Sequence, residues 1–384
     1  MNSFSCNVCG QHLLFENTRC LSCGNLLAYL PERATMAALS PVDDGLWVFA
    51  GDSEPAPNYR LCANYTESHA VCNWAVPERS GDQLCASCQL TDVVPDLSIA
   101  GNVERWQRME AAKRRLLYGL ASLDLVHLNG SATDLPGPHF RFLADEGPRG
   151  EKPVLTGHAN GIITINIAEA DDPERERRRL ALHEPYRTLL GHFRHESGHF
   201  YWDRLIADGN RFDAFRKHFG DERQDYGAAL RRHYANPPGG DWPQQFISAY
   251  AGAHPWEDWA ECWAHYLHMI DALETAAIVG LSVRPARGGG GTTPSAHFSS
   301  AWKQGSFDGL IEAWFALTYV LNNLNRGLGL GDAYPFVLSA RVVDKLRFVH
   351  TTIQSTTGTA EAGPPAAASP QPPAASQSQS AQQR

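Results

Sequence analysis

The chain has 384 residues, 43% of them hydrophobic and 20% charged, a globular balance that excludes a fibre or a wholly disordered chain. Its formal net charge of −9 argues against a general nucleic-acid binder. No apolar run approaches the roughly 18 residues of a membrane helix, and MNSFSCNVCG has neither a basic nor an apolar leader region, so the expected location is the cytoplasm.

Eight of the nine cysteines fall in the first quarter of the chain. Cys6-x2-Cys9-x10-Cys20-x2-Cys23 forms two C-x-x-C knuckles, each presenting two thiolates, which together make the four tetrahedral ligands of structural zinc. Gly10 and Gly24 directly follow the knuckles, where the backbone often turns to positive φ. The second group, Cys62-x9-Cys72 and Cys85-x2-Cys88, is looser, and His69 is a possible substitute ligand. The expectation is a module over residues 1–95 with one or two structural zinc ions, held together largely by metal. Within it, 45–50 (GLWVFA) reads as a short strand.

Residues 102–123 predict a long helix, with Val103, Trp106, Met109, Leu116 and Leu120 at helical spacing. It opens the second expected domain, 100–353. Short strands are expected at 139–143 and 161–167, a helix from Asp172 to Arg179, a mobile loop at 286–295 and a helix at 307–324. From 354 to 384 Pro, Ala, Ser and Gln dominate, and a disordered tail is expected.

The chemical centre is His195-Glu196-Ser197-Gly198-His199, an HExxH pattern. On a helix, residues i and i+4 share a face, so both imidazoles can reach one ion, and Glu196 beside them can take a proton from water. Tyr186, Leu190, Phe193, Ser197 and Tyr201 keep helical spacing, and 185–206 is predicted as one helix. Gly198 makes sense there if another backbone packs close. His192 reads as a supporting or surface residue.

A catalytic zinc needs a third protein ligand. The best source is a helix starting at Pro255, whose Trp256, Trp259, Trp263, Leu267 and Ile270 form a buried stripe. Glu257 and Glu261 lie one turn apart on it; one can bind metal while the other hydrogen-bonds a ligand histidine. Asp258 is a weaker rival ligand. His265 and His268 read as core or surface residues, and Cys262 as a small buried hydrophobe.

HESGH followed by EDWAECW resembles the gluzincin class of zinc metallopeptidases, and its E-x-x-A-E pattern is similar to that of the anthrax lethal factor-like peptidases. That resemblance implies Glu257 as the ligand, Glu261 as support for a ligand histidine, and Tyr250, seven residues before Glu257, as an aid to the oxyanion. The cysteine module, the HExGH helix and EDWAE-x-WAHYLH together resemble a bacterial family of zinc-binding metallopeptidases with an N-terminal zinc ribbon, over roughly residues 1–350. The expected fold is therefore α+β: a zincin-like metallopeptidase domain, mostly helical with a small sheet, preceded by a zinc-ribbon-type module. The expected activity is peptide hydrolysis by a zinc-activated water, with Glu196 as general base, His195, His199 and Glu257 on one catalytic zinc, and a peptide or protein as substrate. The zinc ribbon could recruit protein. The rival reading is a zinc-ribbon module that binds protein or nucleic acid, on a catalytically silent zincin scaffold.

Overall fold

The computed structural model describes residues 3–52, 56–66, 70–128, 137–145, 154–181, 187–236, 239–283, 296–298 and 306–357. His69, Tyr186, the loop at 286–295 and the tail beyond 357 lie outside the described residues.

In chain order the strands among the described residues are β1 (Phe4–Ser5), β2 (His12–Leu13), β3 (Leu26–Leu30), β4 (Thr35–Pro41), β5 (Trp47–Phe49), β6 (Asn58–Leu61), β7 (Ala75–Pro77), β8 (Thr91–Val93), β9 (His139–Leu143), β10 (Gly157–Ala159), β11 (Ile162–Asn166), β12 (Ser282–Val283) and β13 (Ala296–His297). The helices are α1 (Ala63–Thr66), α2 (Ala86–Gln89), α3 (Asn102–Ala121), α4 (Asp172–Ala181), α5 (Leu189–Trp202), α6 (Phe212–Phe219), α7 (Tyr226–Ala235), α8 (Pro255–Ile278), α9 (Phe307–Gly327) and α10 (Ala340–Thr357).

The N-terminal module holds more regular structure than its sequence announces. β3 to β7 form a five-stranded antiparallel meander. Its two edges meet where Tyr29 N–H donates to the Asn73 carbonyl at 2.9 Å, so the sheet curls towards closure. The single strand expected at 45–50 is β5, trimmed to three residues. Phe4, Phe15, Tyr29 and Trp74 pack in edge-on and tilted pairs and include Tyr118 from α3. Arg114 of α3 donates to the Val71 carbonyl at 2.8 Å. The module is thereby fused to the body by a shared apolar core rather than tethered to it.

The body is built around α3, α5 and α8, with a four-stranded sheet in the order β10-β11-β9-β8. β8 and β11 run parallel to β9, whereas β10 pairs antiparallel and forms an edge. β10 and β11 are joined through Asn160 (φ 51°) and Gly161 (φ 81°), both left-handed, the Asn-Gly turn that matches the twist of a hairpin. Phe140, Phe142, Ile163 and Ile165 are fully buried, and Phe193 of α5 packs on the two phenylalanines.

α5 begins later than the predicted 185. Thr188 caps it, its hydroxyl accepting from Gly191 N–H at 3.0 Å, and residues 187 and 188 are not helical. After Trp202 the chain widens into a π turn over Asp203–Ala207. α8 is capped by His254, whose side chain accepts from Trp256 N–H, with Pro255 in the first turn. α10 continues to Thr357, past the position 354 where the tail was expected to begin. Among the described residues no helix is long and apolar enough to cross a membrane.

Candidate active site

The site forms where α5 crosses α8. Contact is tight because Gly198 faces α8 without a side chain: a Cβ there would stand 2.8 Å from Ala260 Cα and 3.2 Å from Trp263. Two indoles clamp the crossing. Trp259 Nε1–H donates to the Gly198 carbonyl at 2.9 Å, and Trp263 Nε1–H donates to Ser197 Oγ at 3.1 Å. Trp259, Trp263, Leu267 and Ile270 are buried as the periodicity predicts, and Trp256 is half-buried.

This crossing brings His195, His199 and Glu257 together, with one donor atom from each within 4.8 Å of the others. Glu257 Oε2 lies 3.0 Å from His195 Nε2 and 3.6 Å from His199 Nε2. That oxygen is buried and accepts no hydrogen bond among the described residues. A buried carboxylate oxygen so placed is costly unless an ion or ligand satisfies it, and two imidazoles with one carboxylate are a donor set of catalytic zinc. Burial would raise the Glu257 pKa, but His199 and His195 outweigh it and hold the carboxyl well below its usual range. The residues present therefore fit the metal.

Glu261 lies behind the imidazole of His195. Its Oε1 is 2.7 Å from His195 Nδ1, and its Oε2 accepts from Ser248 Oγ at 2.6 Å. The Ser248 oxygen in turn accepts from Ala251 N–H. This chain fixes the His195 ring and directs Nε2 towards Glu257. Asp258 points away, paired with Lys345 at 2.6 Å, and Cys262 Sγ lies 3.7 Å from it. Cys262 is fully buried, and His265 and His268 are taken up by Tyr334 and Arg194.

Tyr250 opens the 3-10 turn Tyr250–Ala253, and its ring is centred 5.9 Å from that of His195. Burial pushes its phenol pKa up, so it remains a proton donor. The sequence reading missed Tyr226, at the start of α7, whose hydroxyl donates to Glu257 Oε1 at 2.6 Å. Asp225 marks that helix start as an N-cap, but nothing local announces the contact with Glu257, 31 residues on. Glu196 has its Oε1 3.3 Å from His192 Nε2, while its Oε2 is buried without a hydrogen-bond partner among the described residues. Burial opposes the charging of His192, but the Glu169 and Glu196 carboxylates outweigh it and its pKa is raised to about 9.

The two cysteine groups also close. Cys6, Cys9, Cys20 and Cys23 gather, as do Cys62, Cys72, Cys85 and Cys88. The Cys6–Cys23, Cys9–Cys20 and Cys72–Cys85 sulfur pairs are each 3.6 Å apart. That is far beyond a disulfide and near the edge, about 3.8 Å, of a tetrahedron with zinc–sulfur bonds of about 2.3 Å. Gly10 (φ 75°) and Gly24 (φ 74°) close matching turns onto the Cys6 and Cys20 carbonyls. In the first group Cys9 and Cys23 are exposed; in the second all four are buried.

Residues 102–352, nearly two thirds of the chain, match the family described as "Putative zinc-binding metallo-peptidase". The chain belongs to that family. Residues 3–99 match a zinc-ribbon domain family. The chain is 42% identical over 360 residues to uncharacterized proteins of Mycobacterium tuberculosis and Mycobacterium bovis, covering 92% of itself and 95% of each relative. No solved structure matches it. The architecture is thus a zinc-ribbon module followed by a metallopeptidase-like body, about half helical with small sheets.

Proposed function

We propose that the protein is a zinc-dependent peptidase acting on peptide or protein substrates. The carrying observation is the convergence of His195, His199 and Glu257 beside Glu196, with a buried carboxylate oxygen on each glutamate that has no hydrogen-bond partner among the described residues. Zinc held there supplies Lewis acidity towards the scissile carbonyl and the attacking water. Glu196 takes the proton of that water on its free Oε2 and passes it to the leaving amine. Glu261 fixes the His195 ring, and Tyr226 fixes the Glu257 carboxylate. Tyr250 stabilises the developing oxyanion by donating a hydrogen bond from its phenol.

The edge strand β10 packs beside α5, and its His158 ring is 6.0 Å from that of Phe200. An extended peptide adding to this edge would lie along the HExxH helix. In this reading the chain carries three zinc ions, one catalytic and two structural. The cytoplasm suits cysteines gathered as thiol clusters, because reducing conditions keep them available to metal. The zinc ribbon is a candidate surface for recruiting a protein.

The test is digestion of a mixed peptide library by zinc-loaded protein, with cleavage read by mass spectrometry. Cleavage by the wild type and its loss in Glu196→Gln at equal zinc content support the reading. Equal behaviour of the two proteins sinks it and favours a silent scaffold.

A further inference from the structure

His192 stands one turn before the HExxH pair, with its ring between two buried carboxylates. Its Nδ1 is 2.5 Å from Glu169 Oε2, and its Nε2 is 3.3 Å from Glu196 Oε1. Glu169 comes from a different part of the fold, the 3-10 turn Ile167–Ala170 that follows β11. It is 1% exposed and held from two further directions. Thr156 Oγ donates to its Oε1 at 3.1 Å, and the Arg187 guanidinium lies 3.4 Å from its Oε2.

An ionised carboxylate only accepts hydrogen bonds, so the nitrogen facing Glu169 must donate. The ring plane is then fixed, and Nε2 is aimed at Glu196. A ring that also carries a proton on Nε2 donates to Glu196 Oε1. The other oxygen, Oε2, is the one left buried without a partner among the described residues. The last torsion of a glutamate is a broad, two-fold rotor and does not choose between its oxygens unaided.

We propose that His192 is a positioning residue for the general base: held by Glu169, it grips one oxygen of the Glu196 carboxylate and leaves the other free to take the proton of the attacking water. This rests on the peptidase reading of Glu196. It also ties the base to the sheet, because Glu169 directly follows the strand that pairs with edge β10. Misplacement of a reacting group by about 1 Å can cost on the order of 100-fold in rate.

The test uses two near-isosteres. Glutamine at 192 places its amide nitrogen near the imidazole Nε2, keeping a donor to Glu196 and losing Glu169. Asparagine places its amide near Nδ1, keeping Glu169 and losing Glu196. In zinc-loaded full-length protein on the mixed peptide library, His192→Asn is expected to lower kcat roughly 10- to 100-fold at unchanged KM and zinc content, the loss of one charge-assisted hydrogen bond. His192→Gln should retain at least about ten times the kcat of His192→Asn by the same reckoning. A residue that merely braces Glu169 gives the reverse order, and that order overturns the proposal.

A second measurement needs no catalysis. Thermal midpoints of wild type, His192→Asn, Glu196→Gln and the double variant form a cycle, run with and without zinc. Non-additive shifts support the grip, and additive shifts refute it. If the wild type cleaves nothing, the peptidase reading fails and the cycle alone decides the contact.

Discussion

Gly198→Ala adds one methyl at the helix crossing. Its Cβ would stand 2.8 Å from Ala260 Cα, a backbone atom that cannot swing aside, against ordinary contacts of 3.4 Å or more. Either helix must retreat by about 0.6 Å, the shortfall between those contact distances. Alanine offers up to about 1 kcal/mol of helix propensity over glycine, and overpacking a tight contact costs about 1–3 kcal/mol. The metal-free protein should therefore lose only about 0–2 kcal/mol. Metal binding is less forgiving. His195 and His199 flank Gly198 on α5, Glu257 is on α8, and ligand distances tolerate only about 0.2 Å. The variant should fold, keep its cysteine-bound zinc and lose the zinc of the helix crossing, read as one ion fewer per chain by elemental analysis. Gly119→Ala is the control: it lies in α3 with nothing within 4 Å of a built Cβ, and should gain up to about 1 kcal/mol with unchanged zinc. A Gly198→Ala protein with full zinc content and wild-type hydrolysis would refute the claim that this close approach sets the ligand geometry.

Glu261→Gln removes the anionic partner of His195 Nδ1 and should weaken retention of the crossing zinc about 10- to 100-fold, measured by competition with a chromogenic chelator. A variant with wild-type affinity would show that Glu261 supports nothing. Tyr226→Phe frees Glu257 Oε1 and should weaken the same zinc about tenfold, by the loss of one hydrogen bond to a charged group, with no change at the cysteine sites. Chelator treatment should release the zinc of the Cys6 group, with its exposed Cys9 and Cys23, well before that of the fully buried Cys62 group. Release of both in a single phase would contradict the difference in burial.

The parts legible in sequence are those whose geometry is local. HExxH and E-x-x-A-E each lie on one helix, where spacing alone decides which side chains share a face. C-x-x-C likewise fixes two sulfurs within one turn. Even the need for Gly198 could be read, as an empty space between two ligands waiting for a neighbouring backbone.

The five-stranded sheet was hidden for a physical reason. LLAYL and TMAALSP are buried on both faces for most of their length, so they lack the alternation that marks a half-buried strand. The β10–β11 hairpin did carry a signal, the Asn160-Gly161 pair, which the strand expectation at 161–167 absorbed instead of reading as a turn. The start of α5 was signalled by Thr188, a good N-cap. Tyr226 and Glu169 were not legible at all. Each meets the site through tertiary packing, from α7 and from the turn after β11, and no periodicity links either to its partner.

The central claim is that the crossing of α5 and α8 makes a working hydrolytic centre. The most direct measurement is the rate of peptide-library cleavage per bound zinc at the crossing, for wild type and Glu196→Gln side by side. The account predicts cleavage by wild type and a fall of at least about 100-fold in Glu196→Gln, the lower end of what a positioned general base contributes, with zinc content unchanged. Equal rates in the two proteins, or no cleavage by a fully zinc-loaded wild type, would contradict it.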